Sequence, residues 1–328
     1  MSELEPLETF GIAHVLYRES VDQAIDVDNI HFEYLKKFAF PLYFPQRFHV
    51  IPGFYGLKLS PLNEDKMYFS YFYYVGRTDD WNQPLLEAWV IVMEKSIYDI
   101  IGRDLIALKE YFSEYKHLTA DKLKSSLLDY LYQKSAVLND SQFKLIQNSA
   151  KIMDLEFLSE AISTIISHQK VSLLGGNLDL IEPTFRLITL FIPTRIITNR
   201  TLTTICNKPD ATDREDIALM QIPEVEEVIK IPLPQINIEK NVVKQGSKFR
   251  IIKRIVNEAI MGEEWFGFSE REKFLLLIRI INAIINRKFQ GIMKISRSLF
   301  LIRKTLSYVE NFERNILKDK KELEKIIS

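Results

Sequence analysis

Residues 161–193 read Ala161-Ile-Ser-Thr-Ile-Ile-Ser-His-Gln-Lys-Val-Ser-Leu-Leu-Gly-Gly-Asn-Leu-Asp-Leu-Ile-Glu-Pro-Thr-Phe-Arg-Leu-Ile-Thr-Leu-Phe-Ile-Pro193. The apolar residues up to Ser167 recur at helical spacing, and His168-Gln169-Lys170 interrupts them. Val171 to Leu174 is a short apolar run of the kind a buried strand requires. Gly175-Gly176-Asn177 breaks that run, in a turn expected to need positive φ. A second helix is expected to open near Leu180 with Pro183 in its first turn and to stop at Pro193. Helix, strand, glycine turn and helix in this order make an α/β unit.

Upstream of this stretch the pattern is strand-rich. Phe10 to Tyr17 alternates as a strand does, and Asp22 to Asn29 is acidic and reads as a loop. Phe38-Ala-Phe-Pro41 and Phe44-Pro45 place aromatics beside prolines, which suits an extended segment packed on a sheet. Phe48 to Leu59 reads as a strand broken at Pro52-Gly53. Lys66 to Val75 is an aromatic strand, and Glu87 to Met93 another after a turn at Gly76 to Pro84. Between Tyr98 and Phe112, Ile101, Leu105, Leu108 and Phe112 fall at helical spacing. The expected organisation is a mixed-sheet unit over residues 1–115, a helical linker over 116–150, a central α/β module over 151–243 and a helical module over 244–328. In the central module Ile196-Ile197 and Leu202 to Ile205 read as short strands. Val225 to Ile231 reads as a longer one. The fold class is therefore α+β or α/β.

Composition excludes several classes. The 328 residues are 47% hydrophobic and 27% charged, which describes a folded chain rather than a disordered one. Cys206 is the single cysteine, so no intramolecular disulfide or cysteine-built zinc site can form. The first eight residues carry three glutamates and no basic stretch, so no secretory signal is expected. Leu187 to Ile197 is cut by Pro193 and Arg195 and is too short to cross a bilayer. A cytoplasmic protein is the expectation.

The motifs of chemistry are missing. Gly175-Gly176-Asn177 has neither the Lys-Ser/Thr of a phosphate loop nor the glycine spacing of a dinucleotide fingerprint. His14, His31, His49, His117 and His168 never stand three or four residues apart, so sequence brings no metal ligands together. No Gly-x-Ser-x-Gly elbow occurs. No catalytic residue, cofactor or metal is expected. Tyr68 to Tyr74 has the aromatics of a nucleic-acid stacking platform. Only Lys66 and Arg77 flank it with cations, so a sheet core explains it better.

Charge is polarised. From Lys244 to Ser328 there are 19 Lys and Arg against 10 Asp and Glu, which leaves +9 where the whole chain is −1. Arg287, Lys288, Lys294, Arg297, Arg303 and Lys304 follow one another with no acid between them. Such basic helices suit an acidic protein surface, an anionic membrane or nucleic acid, or the chain's own acidic modules. Arg287, Lys294 and Arg297 share one face of a helix whose apolar stripe is Ile292, Ile295, Leu299 and Ile302. They are the candidate partner-binding residues.

The order of elements resembles that of DENN-domain proteins, which join a longin-like upstream module to central and downstream DENN modules. Upstream, the resemblance rests on Phe38-Ala-Phe-Pro41, on the Tyr-Gly step in Phe54-Tyr-Gly-Leu-Lys-Leu59, and on Ala88-Trp-Val-Ile-Val-Met-Glu-Lys-Ser-Ile-Tyr-Asp-Ile-Ile101 running from strand to helix. In the central module it rests on the helix Ala161 to Lys170, the strand Val171 to Leu174, the small-residue turn and the helix Pro183 to Pro193. Where many members of the family have Leu-x-Tyr-Pro, this chain has Leu190-Phe-Ile-Pro193. The resemblance implies a regulator of a small Ras-like GTPase, either a nucleotide-exchange factor or a scaffold. A folliculin-like branch that activates hydrolysis is also implied, as is pairing with a second longin or DENN protein or with itself. A hydrolysis activator would use an exposed arginine, and Arg103, Arg186, Arg195 and Arg200 are available. The alternative class is a nucleic-acid-binding protein using the basic helices.

Reversing Arg287, Lys294 and Arg297 to glutamate is expected to leave the thermal unfolding profile intact, because exposed charge changes typically cost no more than ~0.5 kcal/mol each. Association with an acidic partner should slow at low salt. Unfolding of the triple variant would mean that these cations are paired inside the molecule.

Overall fold

The computed structural model describes residues 10–17, 21–28, 53–78, 84–95, 105–135, 153–192, 194–206, 216–221 and 233–261. It is a mixed α+β structure whose described residues fall into two units. One takes them from 1–138, 176–178 and 198–229, the other from 139–175, 179–197 and 230–328.

The first unit is built on five antiparallel strands: β1 (Phe10–Tyr17), β2 (Val21–Asp28), β3 (Gly53–Pro61), β4 (Lys66–Thr78) and β5 (Pro84–Glu94). Their spatial order is β3-β4-β5-β1-β2. The β1–β5 ladder pairs Phe10 with Met93 at one end and Tyr17 with Leu86 at the other, so long loops are closed, at an entropic cost that grows only slowly with their length. Two of the inner strands, β4 and β5, are the aromatic and aliphatic runs of the sequence. In β4, Phe69, Tyr71 and Tyr73 occupy one face and Tyr68, Ser70 and Phe72 the other, and all six are buried. In β5, Ala88 to Met93 is buried without interruption. A strand buried on both faces reads as a continuous apolar run. Gly76 takes φ 80° beside a register irregularity between Tyr74 and Thr78, a backbone that a side chain would strain.

Two helices follow, α1 (Leu105–Tyr115) and α2 (Ala120–Ser135). Phe112 of α1 stacks on Phe69 and Tyr71 with ring centroids 5.8 and 5.7 Å apart. The Tyr111 hydroxyl donates to the Leu123 carbonyl at 2.8 Å, tying α1 to α2. At the start of α2 the Asp26 carboxylate accepts from the Ala120 amide at 2.6 Å. An acid there satisfies an orphan N–H and faces the positive end of the helix. The chain later returns to this unit with β7 (Leu202–Cys206), antiparallel to β3 through Lys58–Thr203 and Leu59–Leu202, and with β8 (Ile217–Gln221), parallel to β7.

The second unit opens with α3 (Leu155–Ser167), capped by the Asp154 side chain on the Glu156 amide at 2.9 Å. Its apolar face, Phe157, Leu158, Ala161, Ile162 and Ile165, is buried. Strand β6 (Val171–Gly175) is buried along its whole length and runs parallel to β9 (Gln235–Asn237). A third strand, β10 (Val242–Lys244), pairs antiparallel with β9. Helices α4 (Leu178–Leu190) and α5 (Thr194–Thr198) follow β6 in the chain, and α6 (Arg250–Met261) ends the described part. Ile252, Ile255 and Val256 of α6 are buried. The segment that leads into α6 is held by hydroxyls of α3. Thr164 Oγ1 accepts from the Ser247 amide at 3.1 Å, and Ser163 Oγ from the Phe249 amide at 3.3 Å.

Several sequence expectations stand corrected. Asp22 to Asn29 is no loop: residues 21–28 form edge strand β2, with register irregularities opposite His14/Val15 and Leu16/Tyr17. Its acids and half-exposed Ile25 suit an edge, where tertiary pairing overrides propensity. Ile196-Ile197 lies in helix α5, not a strand; a short helix after proline accommodates the β-branched pair. Helix α4 begins at Leu178, so Pro183 stands inside it rather than in its first turn. A bond to the Asp179 carbonyl is lost there, while the Thr184 hydroxyl donates to the Leu180 carbonyl at 2.8 Å. Neither Gly175 nor Gly176 takes a positive φ. Gly175 instead extends β6, and the turn closes directly into α4. Residues 31–52, 98–104, 222–232 and 262–328, with the aromatic-proline motif, the Val225–Ile231 strand and most of the helical module, lie outside the described residues.

A Cβ at Gly246 would press on Val243 Cγ1 and come within 2.6 Å of Thr164 Oγ1. That hydroxyl already donates to the Glu160 carbonyl and accepts from Ser247. Gly246→Ala should therefore destabilise the protein by about 1–3 kcal/mol, read as a lower urea midpoint at unchanged slope. An unchanged midpoint would show that the Gly246 segment yields freely.

Candidate functional site

The cations singled out in the sequence, Arg287, Lys294 and Arg297, lie outside the described residues, as does the whole run from Arg287 to Lys304. A polar cluster among the described residues lies elsewhere, on the first unit's sheet. Cross-strand register sets Tyr73 opposite Glu87 and His14 opposite Trp89. These four side chains share one face of β4, β5 and β1 because strand side chains alternate.

His14 lies flat on the Trp89 indole, with centroids 4.3 Å apart and planes 15° from parallel. Its Nε2 is 2.9 Å from Glu87 Oε2 and 2.8 Å from the Tyr73 hydroxyl. That hydroxyl donates to the same carboxylate oxygen at 2.7 Å. The proton inventory follows from this triangle. Tyr73 spends its one proton on Glu87, so Nε2 must carry a hydrogen to meet both oxygens. Above the cluster, Lys116 Nζ stands 5.2 Å from the Tyr73 ring centroid. The Trp89 indole N–H donates to the Lys116 carbonyl at 3.2 Å, which fixes the indole against the end of α1.

Electrostatics match that geometry. The hydrogen bond from His14, then that from Tyr73 and the charges of His14 and Arg77, hold the Glu87 carboxyl below its usual range against the opposing effect of burial. Burial first, then the hydrogen bond and charge of Glu87, push the Tyr73 phenol up. Tyr73 is therefore a neutral donor and Glu87 an ionised acceptor across the ordinary pH range. The pair is poised to hold, not to exchange protons. With side-chain exposures of 14% and 17% for His14 and Glu87, the clasp reaches the surface at its rim.

The other histidines and the arginines sort differently. His168 Nε2 is 3.1 Å from the Ser247 hydroxyl and serves the α3 hydroxyl ladder. Arg200 is 6% exposed, and burial lowers its pKa while Asp216 opposes that. Asp216 also accepts from the Thr201 amide at 2.9 Å. A buried guanidinium held in this way is not the exposed arginine that a hydrolysis activator uses. Arg186 is half-buried on α4, and Arg103 lies outside the described residues.

His14, Tyr73 and Glu87 could not be joined from sequence. Each sits in a separate strand at unremarkable spacing, and only the β1–β5 and β4–β5 registers bring them together. Alternation in Tyr71-Phe-Tyr73 and Glu87-Ala-Trp89 was the one available signal, since a lone acid on a buried strand needs partners.

Among the described residues, no group of three His, Cys, Asp or Glu converges as a metal site requires. No helix among them is long and apolar enough to cross a membrane. No protein-family model matches the chain, and no curated protein matches it.

Glu87 sets a pH dependence. Its folded pKa is depressed, so its stabilising contribution is present above the ordinary value near 4.5 and is lost as pH falls through the lower folded value. Glu87→Gln should cost about 2 kcal/mol at neutral pH, the range of a hydrogen bond to a charged group. The gap between variant and parent in chemical denaturation should be full well above pH 4.5 and narrow as pH falls below it. A gap that stays constant through that fall would remove the ionised clasp from the account.

Proposed function

We propose that the chain regulates a small Ras-like GTPase, as a nucleotide-exchange factor or a scaffold, and acts through binding rather than through bond chemistry of its own. The observation that carries this reading is the order helix, Lys-Val strand, small-residue turn and helix over Leu155–Leu190, realised as α3, β6, the Gly175-Gly176-Asn177 turn and α4. It is the element order of a central DENN module. Two further elements support it: the Tyr55-Gly56 step lies in β3, and the hydrophobic run Ala88 to Met93 forms β5 ahead of α1. Exchange requires only that the regulator bind the nucleotide-free GTPase more tightly than the loaded one, so differential affinity suffices. The burial of Arg200 removes that residue from the candidates for a hydrolysis-activating arginine. The proposed setting is the cytoplasm, with a second longin or DENN protein, or a second copy, as a further partner.

The test is capture of small GTPases by the full chain, in nucleotide-free and loaded forms, followed by release of a fluorescent guanine nucleotide. Preference for the nucleotide-free form with accelerated release is the expected result for an exchange factor. Equal capture of both forms without faster release would point to a scaffold. Failure to capture any GTPase in either form would overturn the proposal.

A further inference from the structure

We propose that the β9–β10 hairpin and the opening turn of α6 form a docking surface for an anionic lipid membrane. The inference is independent of the GTPase reading. Between Lys240 and Arg254 the sequence carries six cations, Lys240, Lys244, Lys248, Arg250, Lys253 and Arg254, and no acid. All six are exposed. Two of them are engaged by α3: Lys248 lies 3.0 Å from Glu160, and Lys253 lies 3.2 Å from Glu156. These pairs secure α6 and its approach to α3. Lys240, Lys244 and Arg250 add positive charge around the hairpin that α3 does not match.

Val242 is the second observation. It stands between Lys240 and Lys244 and is 44% exposed, one of three large hydrophobic residues so exposed among those described. Its neighbour Val243 is turned toward Gly246 and Thr164. Strand alternation then aims Val242 and Lys244 away from α3. The backbone is bent to achieve this. Asn241 and Gln245, immediately before and after β10, take φ of 49° and 55°, a region that side chains other than glycine enter at a cost. The Asn237 side chain secures the turn by accepting from the Lys240 amide at 2.9 Å. The result is an aliphatic tip flanked by Lys240 and Lys244, with Glu239 the one acid beside it.

That combination favours a lipid surface. Long cationic stems keep their charge at the headgroups while an aliphatic tip enters the acyl boundary. Single-stranded nucleic acid would call for exposed aromatic platforms, and the only aromatic residue from Lys240 to Arg254, Phe249, is partly buried.

The experiment is co-sedimentation of the full chain with phosphatidylcholine vesicles, with and without about one-third phosphatidylserine, over a salt series. Binding should require phosphatidylserine and weaken as salt rises. Each cation near such a surface is worth roughly a fivefold change in partition, so Lys240→Glu, Lys244→Glu and Arg250→Glu together should reduce binding at least a hundredfold. Val242→Ser should reduce it about three- to tenfold with charge unchanged. The corresponding lysine- and arginine-to-glutamine set, with a melting curve, separates lost binding from lost folding. The proposal is overturned if phosphatidylserine vesicles do not bind at low salt, or if the charge variants bind as the parent does. Indifference to Val242→Ser, or tighter binding of polyglutamate or a short RNA than of vesicles, would also overturn it and assign the patch to an acidic polymer.

Discussion

The first unit depends on one constraint: the middle of strands β4 and β5, Met67 to Tyr73 and Ala88 to Met93, is buried on both faces. Within their ladder the pairs from Met67–Met93 to Phe72–Ala88 are buried on both faces. Burial of a large aromatic or aliphatic side chain contributes about 1.5–3 kcal/mol. Such a ladder can therefore carry weak edges, including bulged, acidic β2 and the two-pair junction of β3 with β7. A polar group on this ladder is costly unless it finds partners within the protein, and the buried Ser70 hydroxyl on β4 finds none. Glu87 finds them by collecting Tyr73 and His14, and Trp89 does so by donating to the Lys116 carbonyl. The polar clasp is a consequence of the buried ladder.

Much of this was legible in the sequence. The aromatic run 66–75, the apolar run 87–93 and the helix–strand–turn–helix at 161–190 each declare themselves by periodicity, because side chains that share a burial face must recur at the element's period. The spacing of Leu108 and Phe112 was read correctly as helical. What stayed hidden depended on long-range pairing. Acidic Val21 to Asp28 becomes a strand only because β1 supplies a partner, and Ile217 to Gln221 only because β7 does. Short β9 and β10 carry no pattern of their own. The His14 cluster was illegible for the same reason, since a register, not a motif, assembles it.

The second unit uses hydroxyl groups where the first uses rings. Ser159, Ser163, Thr164 and Ser167 of α3 all donate back to carbonyls of the preceding turn. That arrangement leaves the oxygens of Ser163 and Thr164 able to accept from the segment before α6. A residue that competes weakly with helix hydrogen bonding inside a chain becomes here the means of fixing a second segment. Gly246 must remain small for that segment to come close enough. This places the hairpin and the start of α6 on a stiff support.

The β1–β5 ladder also has a consequence in time. During synthesis β1 emerges first, yet its apolar Ile12, Ala13 and Val15 wait for partners as distant as Ile91. The unit then remains open on its β3 side while α3, β6 and α4 are made, because β7 comes only after them. Pairings of such separation are slow to form and expose strand edges meanwhile. The acids and bulges of β2 then act as guards on the nascent chain, keeping the earliest hairpin from recruiting a neighbouring polypeptide before its own later strands arrive.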